Sequence, residues 1–151
     1  MAWALRASRE RTVPFDNYFI GPREDVLREN VLKTDELLVE VFIPAPAPGT
    51  RQAWAKLKNR QVYDFAVVSV AAAFTVENDA WKDGRVVLGG VAPVPYRATA
   101  IENQLKGKNI RSSIRQAAAV IRTVARPMSQ NAYKVDIAQN LVERTILGAL
   151  A

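Results

Sequence analysis

The sequence contains no cysteine and no histidine. Without cysteine, disulfides, thiol nucleophiles and iron–sulfur ligation by this chain are excluded. Without histidine, a Ser-His-Asp triad, a histidine general base and zinc sites of the usual kind are excluded as well. Any chemistry at this chain therefore depends on carboxylates, Lys, Tyr or a bound cofactor.

Long apolar runs and nucleotide-binding motifs are also missing. No apolar stretch approaches the ~20 residues that a membrane-spanning helix requires, and the N-terminus lacks the pattern of a secretory signal. We therefore expect a cytoplasmic protein without a membrane segment. Neither G-x-G-x-x-G nor G-x-x-x-x-G-K-[ST] occurs. Gly89 and Gly90 follow a predicted strand but precede Pro93, so we interpret them as a bulge or a close approach of strands.

The carboxylates show no spacing typical of an acid/base pair, so the sequence predicts no catalytic residue and no metal ligand. Glu24, Glu29, Asp35 and Glu36 lie in an irregular stretch and are expected to be solvated. The formal charge of +6 favours an anionic partner, such as nucleic acid or a phosphorylated cofactor. Nucleic acid is disfavoured because no helix-turn-helix, RNP aromatic pair or zinc finger is present.

Apolar periodicity predicts an α+β fold. Strands are predicted at residues 36–43, 52–58, 65–77 and 85–91, with residues 78–84 as a hairpin connection. Helices are predicted at residues 97–105, from a cap at Ser112 or Ser113 to Ala125, and at 135–150. We expect an antiparallel sheet of three to four strands with about three helices packed on one face. Residues 1–36 are assigned to an irregular N-terminal segment and residues 37–151 to the domain itself.

Polar residues next to the longest apolar strand mark the candidate site. Lys56 alternates with Trp54 on one face of a predicted strand, which fits either plain solvent surface or contact with a planar, electron-rich ligand. Asp64 adjoins the buried strand, where an unpaired carboxylate is costly. Arg60 or a backbone N–H of the loop is its natural partner. Whether Lys56, Arg60 and Asp64 face a ligand or only secure the loop stays open at this point.

Three segments carry a resemblance to a known family. Residues 53–74, 87–98 and 131–135 resemble the C-terminal domain of the FAD-binding medium subunit of molybdenum hydroxylases. That family includes xanthine dehydrogenases, aldehyde oxidoreductases and carbon monoxide dehydrogenases. Residues 13–19 and 35–38 resemble the segment that leaves the family's FAD domain. We expect no counterpart of that glycine-rich FAD domain within these residues.

The resemblance implies specific roles for the three polar residues. Lys56 matches a lysine beside the isoalloxazine ring, Arg60 matches a loop arginine near the ring, and Asp64 matches the acidic end of the same loop. Positive charge beside a flavin favours its reduced, anionic form, so Lys56 and Arg60 would tune the potential. Val62 and Tyr63 occupy places where the family often carries acids, which puts any switching of acceptor choice by loop charges in doubt.

The implied function is that of a component. The domain would cover one side of FAD in a xanthine dehydrogenase-like oxidoreductase and help pass electrons from iron–sulfur clusters to an acceptor, without being catalytic alone. The implied partners are the FAD-domain half, if it is separately encoded, a molybdenum cofactor subunit and an iron–sulfur subunit. The alternative is a non-catalytic interaction module that keeps the fold without binding flavin, for which self-association into a homo-oligomer is expected.

Overall fold

The computed structural model describes residues 2–6 and 9–151, with side chains described from Glu10 onward. The chain divides into two compact units, Met1–Pro46 and Ala47–Ala151. Of the predicted N-terminal segment 1–36, Met1, Ala7 and Ser8 lie outside the described residues.

The first unit, among its described residues, is built on a three-stranded antiparallel sheet. Its strands are β1 (Ala2–Arg6), β2 (Arg9–Val13) and β3 (Leu37–Val41), in the order β2-β1-β3. A 3-10 turn at Phe15–Asn17 follows β2. The Phe19 ring meets the rings of Phe15 and Tyr18 edge-on, at centroid distances of 5.3 and 5.2 Å. These rings give the connection between β2 and β3 a small apolar cluster of its own.

Glu36 in the first unit is paired, so the expectation that it is solvated is wrong. Its side chain is only 4% exposed and accepts hydrogen bonds from the guanidinium of Arg11 at 2.8 and 2.6 Å. The backbone N–H of Lys33 donates a further bond of 2.8 Å. The hydrogen bonds from Arg11, followed by the one from Lys33, lower the pKa of Glu36 to about 2.

The second unit confirms the predicted α+β fold. Its four-stranded antiparallel sheet has the order β4-β5-β6-β7, with strands β4 (Arg51–Leu57), β5 (Val68–Glu77), β6 (Ala80–Gly89) and β7 (Tyr96–Arg97). The helices are α1 (Thr99–Leu105), α2 (Ile110–Ala119), the single turn α3 (Ile121–Val124) and α4 (Tyr133–Gly148). On β5, Val68, Val70, Ala72 and Phe74 are buried, whereas Ala71 and Ala73 are exposed. The helices thus cover one face of the sheet and leave the other open.

The hairpin between β5 and β6 is tighter than the sequence predicted. The connection is only Asn78 and Asp79, both with positive φ of 50° and 61°, and Glu77 pairs with Ala80. Positive φ at both central residues is typical of a type I′ turn, which Asn and Asp tolerate better than most residues. The prediction of a connection over residues 78–84 is therefore wrong beyond Asp79. Trp81 belongs to β6, is 1% exposed and stacks on Phe74 at 4.6 Å.

The start of α2 also differs from the prediction. The helix begins at Ile110, and Asn109 is its N-cap, with a side chain that accepts a hydrogen bond from the Ser112 N–H at 3.1 Å. Asn is as good an N-cap as Ser, and it occupies the earlier position. The predicted cap at Ser112 or Ser113 is therefore wrong, although the buried stripe of Ile114, Ala117 and Ala118 is as expected.

Candidate functional site

The candidate site is the loop between β4 and β5, residues 58–67. The two strands pair from Arg51 with Phe74 to Leu57 with Val68. Immediately beyond the last pair, the Val67 N–H donates to the Leu57 carbonyl at 2.8 Å and closes the base of the loop. The central strand therefore fixes where this loop leaves and re-enters the sheet.

Lys56 lies near the end of β4 and reaches across the loop. Its ammonium donates a hydrogen bond of 3.0 Å to the main-chain carbonyl of Asp64. The same nitrogen lies 6.0 Å from the centroid of the Trp54 ring, within the range of a cation–π contact. The two side chains lie on one face of β4, as the alternation along the strand predicts, and they contact each other there.

Arg60 and Asp64 form a two-pronged ion pair inside the loop. Arg60 Nε donates to Asp64 Oδ2 at 3.0 Å and Nη2 donates to Oδ1 at 3.2 Å. Asp64 Oδ1 also accepts from the Phe65 N–H at 2.9 Å. The hydrogen bond from Arg60, and to a smaller extent that from Phe65, holds the pKa of Asp64 below its usual range. The carboxylate in turn raises the pKa of Arg60.

A further lysine secures the loop tip. Lys58 Nζ donates to the Val62 carbonyl at 2.9 Å. The structure thus brings Lys56, Arg60 and Asp64 together in one hydrogen-bonded network, and Lys58 adds a further hydrogen bond within the loop. These contacts show how the loop is held. A contact of Lys56, Arg60 or Asp64 with a cofactor stays a prediction.

The loop presents two aromatic rings that the sequence reasoning did not select. Tyr63 is fully exposed and Phe65 is 95% exposed, and Val62 beside them is 57% exposed. Such rings are costly to leave in water, so a loop that is held by side-chain hydrogen bonds and displays them is typical of a binding surface. The available signal was a pair of aromatic residues flanking Asp64, where a loop of a soluble domain usually carries polar residues.

The Gly89–Gly90 turn lies against the end of this loop. A Cβ at Gly89 would lie 2.5 Å from Ser69 Oγ. Gly90 has a φ of 75°, and a Cβ there would lie 2.9 Å from the Val67 carbonyl oxygen. The close approach that the sequence predicted at these glycines is therefore present. Gly90 requires glycine because of its positive φ and its backbone neighbours, whereas a side chain at Gly89 would require the Ser69 hydroxyl to move.

The loop fits one part of the cofactor that the resemblance implies. A flavin ring is planar and apolar on its faces, with polar atoms at its edge. Tyr63 and Phe65 offer ring faces of the matching kind, and the Arg60 side chain, 73% exposed, offers positive charge beside them. The described residues fit the ring system of FAD and carry no glycine-rich loop suited to its pyrophosphate.

The described residues lack two other kinds of site. No group of three or more Asp, Glu, His or Cys side chains among them is placed to hold a metal ion. In the same residues, no helix has the length and apolar character needed to cross a membrane.

Comparison with known proteins agrees with the resemblance. The family model of the CO dehydrogenase flavoprotein C-terminal domain matches residues 52–149. The carbon monoxide dehydrogenase medium chain of Hydrogenophaga pseudoflava is 34% identical over 146 residues, which cover 93% of this chain and 49% of that protein. The FAD-binding subunit of an Escherichia coli aldehyde oxidoreductase is 32% identical over 146 residues, covering 95% of this chain and 41% of that protein. The chain thus spans about half the length, or less, of these relatives.

Solved structures show the same fold. Carbon monoxide dehydrogenase from Hydrogenophaga pseudoflava aligns with a TM-score of 0.86 at 28% identity, over 99% of this chain and 52% of that chain. Quinoline 2-oxidoreductase from Pseudomonas putida aligns with a TM-score of 0.83 at 24% identity, over 98% of this chain and 51% of that chain, and supports the fold alone. The match of sequence, fold and motif order shows that this chain belongs to the CO dehydrogenase flavoprotein C-terminal domain family, found in the FAD-binding subunits of molybdenum hydroxylases.

Proposed function

We propose that this chain is the C-terminal domain of the FAD-binding subunit of a molybdenum hydroxylase-type oxidoreductase, and that residues 58–65 cover one side of the flavin ring. The observation that carries the proposal is the pair of exposed rings, Tyr63 and Phe65, on a loop that Lys56, Arg60 and Asp64 hold in place. Family membership supplies the context, since relatives include an FAD-binding subunit.

The residues have distinct tasks in this proposal. FAD, when bound, supplies the electron transfer between iron–sulfur centres and an acceptor. Tyr63 and Phe65 contact the ring and exclude water from one of its faces. Arg60 and Lys56 place positive charge nearby, which favours the anionic reduced ring, while Asp64 offsets part of that charge. The chain holds the ring system and leaves the pyrophosphate to another domain, so it binds FAD weakly alone.

The complete assembly belongs to the same proposal. Its partners are an FAD-binding half, a molybdenum cofactor subunit and an iron–sulfur subunit. Residues 37–151 are the flavoprotein C-terminal domain of this assembly, and residues 1–36 are the segment leading into it. Relatives named as medium chains support this arrangement. Location in the cytoplasm is also part of the proposal and is tested by cell fractionation.

A flavin titration tests the ring contact. We would titrate the full chain with FAD and with lumiflavin, which has the ring system but no pyrophosphate, and follow flavin fluorescence. The protein is expected to quench the fluorescence of both flavins weakly and to the same extent. A Tyr63→Ala/Phe65→Ala variant should lose this quenching. Met128→Ala, which removes an exposed apolar side chain elsewhere, is the control. Tight stoichiometric binding of FAD without binding of lumiflavin would overturn the proposal, and so would the absence of quenching with either flavin.

An interaction module without flavin is the second candidate, and the same exposed rings favour it. In that case Tyr63 and Phe65 bind another protein surface, including a second copy of this chain. Sedimentation equilibrium separates the two functions. Self-association that the double variant abolishes, together with no response to lumiflavin, would support the module. A monomer at high concentration would count against it.

A further inference from the structure

The turn after β6 and the end of the candidate loop are in direct backbone contact. A Cβ at Gly90 would approach the carbonyl oxygens of Val67 and Ala66 to 2.9 and 3.0 Å. There is consequently no room between the turn and residues 66–67, and a shift of one displaces the other. Val67 in turn closes the loop through its bond to the Leu57 carbonyl.

Lys134 also binds this turn. Its ammonium donates a 2.9 Å hydrogen bond to the Gly90 carbonyl, across 44 positions of sequence. Lys134 is half-buried in the first turn of α4, and that helix is anchored in the core by Ala138, Val142 and Ile146. A hydrogen bond from a charged donor is stronger than one between neutral groups. The core-anchored helix α4 therefore helps to fix this turn, in addition to Val91, which follows Gly90 and packs against the core.

We propose that Lys134 is a positioning residue for the flavin-facing loop. Its ammonium binds the Gly90 carbonyl and so fixes the Gly90 turn, which contacts residues 66–67. The position of residues 66–67 in turn determines where Tyr63 and Phe65 lie relative to the sheet. The use of that position for a flavin rests on the proposed function. The mechanical link from Lys134 to the loop does not, because every contact in it lies within this chain.

Hydrogen exchange on the full chain tests the link without any flavin. Lys134→Met keeps the apolar stem and removes the donor, while Lys134→Arg keeps both charge and donor. Lys82→Met removes a lysine whose pairing with Glu77 is exposed, and it serves as the control. The Val67 amide is expected to exchange about tenfold faster in Lys134→Met and at the original rate in the other two variants. Amides in the middle of β5 should not change.

Two exchange results would overturn the proposal. One is an unchanged Val67 rate in Lys134→Met, and the other is equal acceleration throughout β5, which signals a global loss of stability. Lumiflavin quenching is the second readout: it should weaken several-fold in Lys134→Met and recover in Lys134→Arg. Faster local exchange at Val67, with no lumiflavin response in the original chain, would support the positioning role and count against the flavin function instead.

Discussion

The ammonium of Lys56 donates a hydrogen bond of 3.0 Å to the main-chain carbonyl of Asp64, eight residues further along the chain. The Asp64 carboxylate is held separately by Arg60. Lys56 and Arg60 therefore bind Asp64 through different atoms, and together they fix the end of the loop next to β5. The rings of Tyr63 and Phe65, on either side of Asp64, are almost fully exposed to solvent.

Lys56→Met should loosen the loop while leaving the fold intact. The substitution removes one charged donor at a half-buried position, so the expected loss in free energy of unfolding is about 1 kcal/mol. The Phe65 amide, which binds the Asp64 carboxylate, should exchange faster. Lys58→Met, which removes only the hydrogen bond to Val62, is the control and should have a smaller effect. An unchanged rate at Phe65 in Lys56→Met would contradict this account of the loop.

The loop should keep its order down to acidic pH. Because the pKa of Asp64 lies below its ordinary value of 3.8, the stabilisation from its ion pair is complete above 3.8 and is lost as pH falls through the depressed pKa. A carboxylate-detected NMR titration of Asp64 measures this directly. Asp64→Asn should show a loosened loop that no longer responds to acid. A midpoint for Asp64 above 3.8 would show that the Arg60 contact is absent in solution.

Gly84→Ala should destabilise the second unit. An added Cβ would lie 2.4 Å from Phe74 Cβ and 2.5 Å from Trp81 Cζ2, inside a tightly packed pair of rings. Overpacking of this kind costs roughly 1–3 kcal/mol. Gly148→Ala is the matched control, because nothing lies within 4 Å of its Cβ and alanine favours the helix end. Urea unfolding should rank Gly84→Ala below the original chain and Gly148→Ala at or above it.

Glu102→Gln should cost about 2 kcal/mol of unfolding free energy. Glu102 is 8% exposed, accepts from the Val86 N–H at 2.9 Å and binds the Arg97 guanidinium at 3.0 to 3.2 Å. The amide keeps the shape and loses the charge that these donors face. Glu143→Gln on α4 is the control and should change stability little. Urea unfolding of the two variants decides the matter, and equal midpoints would contradict a role for the Glu102 charge.

The strands and helices of the second unit were accessible to the sequence because their signal is local. The signal for β5 was a continuous apolar run, and the signal for α2 and α4 was an apolar stripe at helical spacing. Burial follows the stripes of the two helices, whereas the alternating burial along β5 is visible only in the structure. The hairpin connection was predicted at the right place but too long, because no glycine marks the Asn78–Asp79 turn and Trp81 resembles loop sequence until Phe74 is found opposite it. The pairing of Glu36 with Arg11 spans 25 positions and leaves no periodic trace.

At the candidate site, the sequence by itself determined the residue types, the exclusion of thiol and histidine chemistry, and a motif order specific enough to indicate the family. The sequence also indicated Arg60 or a backbone N–H as the partner of Asp64, and the structure shows both contacts. Only the tertiary structure decided that Lys56 binds the Asp64 carbonyl and that Tyr63 and Phe65 form the free surface. It also brought Lys134 to the Gly90 carbonyl. The physical reason is that composition and periodicity are properties of neighbouring residues, whereas a hydrogen bond between distant residues depends on strand register and on where a helix packs.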